Sequence, residues 1–375
     1  MTLDVLRRLF FVSTLVCLGC SLAAETNTGA PDPRPNILLI VADDLGWADV
    51  GYHGSPIRTP HIDRLARQGV VLDQHYVAPM CTPTRTALLT GRYWSRFGNT
   101  TPSNERVLPW NTWTLARALR QAGYTPCITG KWHLGSKSEW GPRQFGFDRS
   151  HGSLAGGVHP YNHRYKGTTY ARTWHRNDIL IEEEGHVTDL IGAEAVTFIE
   201  AEHRAPFFIS VPFTAVHDPF DEPQAWLDSA AHIEPGRRQY AACVQHMDAM
   251  IGRMVEALDR TGQSENTLVI FFSDNGGTNG DGSLLYPGGK ANAPIKGLNH
   301  PLRGWKTEVY EGGIRVPLIA RWPSQIAAGG VSDHLAAHVD LLPTVADVAQ
   351  AWLVPRRRDG HSILPLFLGR PTEEH

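Results

Sequence analysis

Two oxygen-rich pairs stand directly after long apolar runs. Asp43-Asp44 follows NILLIVA (36–42), and Asp274-Asn275 follows TLVIFFS (267–273), with Gly276-Gly277 behind it. Two carboxylates in one place, or a carboxylate and a carboxamide, suit a hard divalent cation such as calcium or magnesium. Neighbouring strand residues point to opposite faces, so Asp43 and Asp44 can address one ion only where the strand has ended and the chain turns. Gly46 supports such a turn. Either pair alone reads more readily as a solvated helix cap or turn; two of them after two buried strands reinforce each other. Lys131-Trp132-His133 places a point charge and a proton-transfer group two residues apart, on one face if the segment is extended. His217, in AVHDPF, and Lys306, in GWKTEVYEGG, add a second proton carrier and a second ammonium. The chemistry these residues share is the handling of an anion.

Cys81 sits among them in CTPTRTALLTGR. Pro83 suits a first helical turn, Thr82 is a candidate N-cap, and Gly91 is a candidate stop. A helix N-terminus attracts anions, and Arg85 lies one turn on, able to face the same spot. A thiol so placed is expected to have a lowered pKa. Yet a thiol offers no obvious route for releasing a tetrahedral oxyanion.

The elements that must position these groups alternate. Apolar strands are expected at 36–42, at 124–130 (YTPCITG), at 206–213 (PFFISVPF), at 267–273 and at 316–323. Helices are expected from Pro60, with Thr59 as cap and Gly69 as end, over 112–123 with Gly123 as stop, over 239–258 and over 340–350. This order implies an α/β fold around a mostly parallel sheet, with ligands at the strand ends. No internal repeat or low-complexity tract interrupts it. The 375 residues carry a formal charge of -3, which argues against a nucleic-acid or anionic-membrane binder. Arg7 and Arg8, an apolar run from Leu9 to Leu18 and the small residues of SLAAE read as an export signal over 1–24, too short to span a membrane, with cleavage after Ala23 or Ala24. CLGC loosely resembles a lipoprotein box at Cys20, which makes lipid anchoring a minor alternative. Residues 25–35 read as a linker. Of the 5 cysteines, Cys81, Cys127 and Cys243 would remain, too few for a disulfide scaffold.

CTPTR, continuing through TALLTGR, resembles the signature of type I sulfatases. VADDLG, GKWHLG, SDNGG and the Lys306 loop match the same family in order, from about Asn36 to about Phe367. GWADVGYHGSPIRTPHIDRLA is similar to the arylsulfatase B branch, the N-acetylgalactosamine-4-sulfatases. The resemblance implies an alkaline-phosphatase-like fold, with a mixed, mostly parallel sheet and helices on both faces, as one catalytic domain over 36–367. The N-terminal signal pattern implies export to the periplasm, the exterior or a lumen. The resemblance implies that Cys81 is oxidised to formylglycine by a sulfatase-maturing enzyme. Asp43, Asp44, Asp274, Asn275 and the modified residue 81 would bind one calcium ion. Arg85 would hold the aldehyde hydrate, Lys131, Lys306 and His217 would contact the sulfate, His217 would protonate the leaving alcohol, and His133 would take the proton from the second hydroxyl. The substrate implied is a sulfated carbohydrate or an aryl sulfate. Pro126 departs from the family, which has Ser or Thr there, with a local backbone effect expected. The sequence stops soon after 367, so 368–375 reads as a shortened tail lacking most of a small antiparallel C-terminal subdomain. Two other readings stand beside this one: a phosphonate or phosphate monoester hydrolase of the same superfamily, and a glycan-binding protein without turnover. Ser153, His159 and His163, in HGSLAGGVHPYNHRYKG, are candidates for lining a sugar pocket; a zinc site in that segment is not expected, since no cysteine accompanies its histidines.

Overall fold

β1 (Asn36–Ala42) realises the first apolar run, and its side chains divide between two cores. Leu38, Ile40 and Ala42 enter one, and Ile37, Leu39 and Val41 enter the other. That alternation, apolar on both sides, is what a strand covered on both faces requires. The computed structural model describes residues 32–167, 169–280, 282–290, 297–354 and 358–371. The expected export signal with Cys17 and Cys20, the 25–31 part of the linker and residues 372–375 of the tail lie outside them.

After β1 the elements are α1 (Pro60–Gln68), β2 (Val70–Leu72), β3 (His75–Tyr76), α2 (Cys81–Thr90), α3 (Leu115–Gln121), β4 (Thr125–Lys131), β5 (Arg149–Ser153), β6 (Trp174–Arg176) and β7 (Ile179–Leu180). They continue with α4 (Val187–Glu200), β8 (Phe207–Pro212), α5 (Gln224–Ser229), α6 (Arg238–Arg260), β9 (Thr267–Ser273), α7 (Glu311–Ile314), β10 (Leu318–Arg321), β11 (Gly330–Ser332), β12 (Ala336–Ala337), α8 (Leu341–Val348) and α9 (Leu364–Phe367). Ten strands form one mixed sheet in the order β11-β2-β10-β9-β1-β8-β4-β5-β6-β7. The stretch β9-β1-β8-β4-β5 is parallel, and antiparallel pairs flank it through β10 and β6. β3 and β12 pair separately. On one face, α1, α4 and α6 supply Ile62, Leu65, Ile191, Phe198, Met247 and Ile251. On the other, α2, α3 and α8 supply Leu88, Leu89, Leu115, Leu119, Leu341 and Val345.

The expected elements are present with shifted edges. α3 begins at Leu115, three residues later than expected, because Thr114 caps it by accepting from the Arg117 amide at 3.2 Å. Pro126 lies inside β4, in register with Phe208, and its carbonyl accepts from the Asp148 amide at 2.8 Å. The proline therefore removes one donor near the strand start without ending the strand.

Gly130 sets how β4 ends. Its φ is 129°, and a Cβ there would lie 1.9 Å from the Pro212 carbonyl oxygen. Only glycine lets the backbones of β4 and β8 approach this closely one residue before Lys131. Gly130→Ala should therefore lower stability by at least ~2 kcal/mol, from left-handed strain plus overpacking. Denaturant titration measures it, and a loss under about 0.5 kcal/mol would refute the account.

Candidate active site

Because β9, β1, β8 and β4 are adjacent and parallel, their C-terminal ends open on one edge. Asp274-Asn275 follows β9, Asp43-Asp44 follows β1, His217 follows β8, and Lys131 ends β4. This is the edge where open α/β sheets bind ligands. The turn foreseen after β1 is built by Asp44, whose φ of 64° is left-handed. Asp43 stays tied to the β8 extension through its amide to Ala215 O at 2.9 Å, and its carbonyl accepts from Val216 at 2.7 Å.

The polar groups interlock. Lys131 Nζ sits on Asp43 Oδ2. Lys306 Nζ lies 2.6 Å from Asp44 Oδ1 and 2.8 Å from Oδ2. Arg85 donates from Nε at 3.0 Å and Nη2 at 2.7 Å to Asp274 Oδ2, and from Nη1 at 2.7 Å to the Lys131 carbonyl. Asn275 Nδ2 donates to Asp44 Oδ1 at 2.8 Å. His217 Nε2 lies 3.8 Å from Asp44 Oδ2, while its Nδ1 donates to the Asp218 carbonyl at 2.5 Å. Ligand atoms of Cys81, Asp43 and Asp274 all lie within 4.8 Å of one another. His133 feels the charges of Lys131, Arg85, Lys306 and His217. The ten residues expected to bind metal or take part in catalysis therefore meet at one place.

Two expectations about Cys81 need correction. α2 starts at Cys81 itself, with Met80 as N-cap. Thr82 lies inside the first turn, and its hydroxyl has no hydrogen-bond partner among the described residues. Thr84 instead binds the preceding chain, its Oγ1 accepting from the Ala78 amide at 3.0 Å. The thiol pKa is raised, not lowered: burial outweighs the pull of Lys131 and Lys306, with Asp274 and Asp43 pushing the same way as burial. The helix end and its cations do not make Cys81 a thiolate. His133 likewise turns into the site through a left-handed φ of 57°, not through an extended strand, and its ring fills the space a Cβ on Gly156 would take.

The remaining groups divide by charge. Burial pushes Asp43 up to about 6 against the opposing Lys131. Burial also opposes ionisation of Asp44, but Lys306, His217 and Lys131 overcome it and hold Asp44 down at about 2. Burial and four cationic neighbours hold His133 well below the usual histidine range, so it is neutral. Burial works against protonation of His217 too, yet Asp44, with Asp43 and Asp218, raises it. One histidine is thus set to accept a proton and the other to give one.

A metal fits this donor set. Asp43 Oδ1 and Asn275 Oδ1 are buried acceptors with no hydrogen-bond partner among the described residues. Orphaned oxygens beside a second and third carboxylate suit an oxygen-coordinated calcium ion.

Sequence reasoning missed Lys166. Its ammonium lies 5.6 Å from the Tyr286 ring centre and 5.7 Å from that of Tyr165, and its charge couples to Asp218, Lys306, Lys131 and Cys81. Tyr286 Oη is buried without a hydrogen-bond partner among the described residues, 2.7 Å from where a Gly157 Cβ would stand. The signal was a lysine among aromatics in a segment already singled out, but nothing local tied it to Lys306. The histidines singled out there bond the backbone: His159 Nε2 meets Gly288 O at 3.2 Å, and His163 Nε2 meets Gly185 O at 3.1 Å. Ser153 is fully buried and bonds Ala155.

The family model described as Sulfatase matches residues 35–351. The chain belongs to the sulfatase family. This sulfatase is 36% identical to the N-acetylgalactosamine-6-sulfatase of Mus musculus, over 91% of this chain and 67% of that one. It is 34% identical to Arylsulfatase J of Mus musculus, over 84% of this chain and 53% of that one. Among solved structures, Ps i-CgsB in complex with k-i-k-neocarrahexaose superposes with a TM-score of 0.81 at 34% identity, covering 90% of this chain and 76% of that one. The sheet and its two helical layers are therefore the alkaline-phosphatase-like sulfatase fold, and the chain is a sulfuric ester hydrolase. The relative named for a galactosamine sulfate is a 6-sulfatase, so the comparisons lend no support to 4-sulfate specificity. No helix among the described residues is long and apolar enough to cross a membrane.

Proposed function

We propose that the chain is an exported, calcium-dependent sulfatase acting on sulfated carbohydrate, with residue 81 as the formylglycine left by a maturing enzyme. The observation that carries this reading is the position of Cys81: first residue of a helix, its ligand atom within 4.8 Å of those of Asp43 and Asp274, in the field of Lys131 and Lys306. A buried, protonated thiol is a poor nucleophile for sulfur there, whereas a hydrated aldehyde supplies one hydroxyl to attack and a second through which sulfate is expelled. Calcium held by Asp43, Asp44, Asp274, Asn275 and residue 81 would acidify the attacking hydroxyl and offset charge.

The chain's own residues do the rest. Arg85, fixed by Asp274, orients residue 81 and places positive charge beside it. Lys131 and Lys306 spread their charge over the sulfate oxygens, where negative charge builds in the transition state. His217, protonated, gives its Nε2 proton to the leaving alcohol, and the Asp218 carbonyl fixes that tautomer. His133, neutral, takes a proton from the second hydroxyl. Lys166, whose charge couples to Lys306 and Lys131, is the group we assign to a further acidic group of a glycan. Lys166→Ala should lower kcat/KM about tenfold or more on a sulfated oligosaccharide, the worth of one charged hydrogen bond, and leave a small aryl sulfate nearly unaffected. Equal losses on both substrates would contradict this placement.

The deciding experiment is mass spectrometry of the peptide containing residue 81 from the native host, paired with turnover of matched sulfate and phosphate esters. Formylglycine and faster sulfate turnover are expected. An unmodified thiol in an active preparation would sink the mechanism, and faster phosphate turnover would sink the substrate class.

A further inference from the structure

A second cluster of metal-ligating side chains lies behind the loop that carries His217. His186, Glu222 and His246 are buried, and one ligand atom from each lies within 4.8 Å of the others. They come from three places: the N-cap of α4, the segment five residues after His217, and the middle of α6. His246 Nδ1 is 2.8 Å from Glu222 Oε2, and its Nε2 is 3.1 Å from Asp189 Oδ1. His186 Nε2 faces Glu222 Oε1 at 3.5 Å, makes no hydrogen bond, and its side chain is 3% exposed. Cys243, one helical turn before His246, hydrogen-bonds Glu222. A cavity of about 10 Å³ borders the cluster, lined by His186, Glu222 and Cys243 together with His217, but not by His246.

We propose that His186, Glu222 and His246, with Cys243 beside them, form a second metal site, for a transition-metal dication such as zinc, which pins the His217 loop to α4 and α6.

Two imidazoles and one carboxylate, with a thiol on the same carboxylate, are a nitrogen-rich set that prefers zinc to calcium. Asp189 completes the pattern: a ligating histidine ordinarily gives its other ring N–H to a carboxylate, and Asp189 stands at that atom of His246. Charge points the same way. With both ring nitrogens protonated, His246 brings one positive charge against the two carboxylates Glu222 and Asp189, and Arg253 adds a second only toward the half-exposed Asp189. A dication bound by neutral His246 balances both. Ligation by His186 Nε2 requires its proton on Nδ1, so the Thr188 amide would give up its 3.3 Å bond to that atom. His186 is accordingly the weakest of the three ligands. The burial of all three marks a closed, structural site.

The test uses the full chain, purified without a histidine tag, dialysed against chelator, reloaded with calcium and titrated with zinc chloride. The wild type should take up one tight equivalent of zinc, placed by anomalous diffraction between His246 and Glu222. His246→Ala and Glu222→Gln should weaken zinc binding by about 100-fold or more, and Asp189→Asn by roughly 10–100-fold. Asp44→Asn should leave zinc binding unchanged, which separates this site from the calcium cluster. Should either ligand variant fail to fold, Asp189→Asn decides, since that side chain is 48% exposed and its change is isosteric. A wild type that takes up no zinc, zinc binding that survives Asp189→Asn undiminished, or an anomalous peak only at Asp43 and Asp274 each overturns the proposal. Sulfate turnover plays no part in the readout, so its loss would not count against the zinc site.

Discussion

Cys81→Ser protein will fold normally and turn over sulfate esters at least roughly 10⁴-fold more slowly than the matured enzyme, the scale of loss seen when a nucleophile is removed. Serine is close to cysteine in size, and residue 81 is only 2% exposed, so the change asks little of the packing. What it removes is the second hydroxyl. A serine that takes up sulfate can release it only through direct attack by water, because no carbonyl can form at its carbon. Mass spectrometry of the variant after exposure to substrate should therefore find the residue-81 peptide carrying sulfate, and a steady-state assay should find almost no turnover. Turnover within tenfold of the matured enzyme would mean that the hydrate is not the working group.

His217→Gln is expected to cost about 10²–10⁴-fold in kcat on a sugar sulfate, the usual worth of a positioned general acid. The loss should shrink sharply on a nitrophenyl sulfate, whose leaving group needs no proton. The pH profile carries an independent sign. Burial works against the protonated ring, but Asp44, Asp43 and Asp218 prevail, and the pKa stands above the ordinary 6.5. The protonated form is the active one, so rate should fall as pH rises through that raised value, and the variant should lack this alkaline limb. The neutral state of His133, held by burial and the surrounding cations, extends well below pH 6.5 and adds no limb there. A variant that keeps the alkaline limb, or loses equally on both substrates, would remove His217 from the role of acid.

The sheet was legible because β1 and β9 are continuous apolar runs ending in oxygen ligands, and because the ends of β1, β4, β8 and β9 coincided with polar motifs. Parallel pairing then made the site nearly inevitable, since motifs at equivalent strand ends share one edge. Protonation was harder to read. Local sequence suggested a reactive thiol at a helix end, but the field at Cys81 is decided by burial from elements distant in the chain. Lys166 escaped for the same reason: its relation to Lys306 and Lys131 exists only in three dimensions. The His186–Glu222–His246 cluster escaped entirely, because its members occur in three segments with no shared spacing. Thr82 misled through propensity, since Thr84 rather than Thr82 binds the chain ahead of α2.

The central pairings also fix an order of events during synthesis. Ile37 in β1 lies opposite Phe208 in β8 and Leu268 in β9, partners that leave the ribosome long after it does. Pairings so far apart in sequence make for slow folding, because the intervening loop must close before any contact rewards it. Until β9 arrives, β1 has one open edge, Asp274 is absent, and nothing seals the pocket around residue 81. The growing chain therefore passes through a long interval in which Cys81 lies on accessible peptide, and that interval ends when the sheet closes.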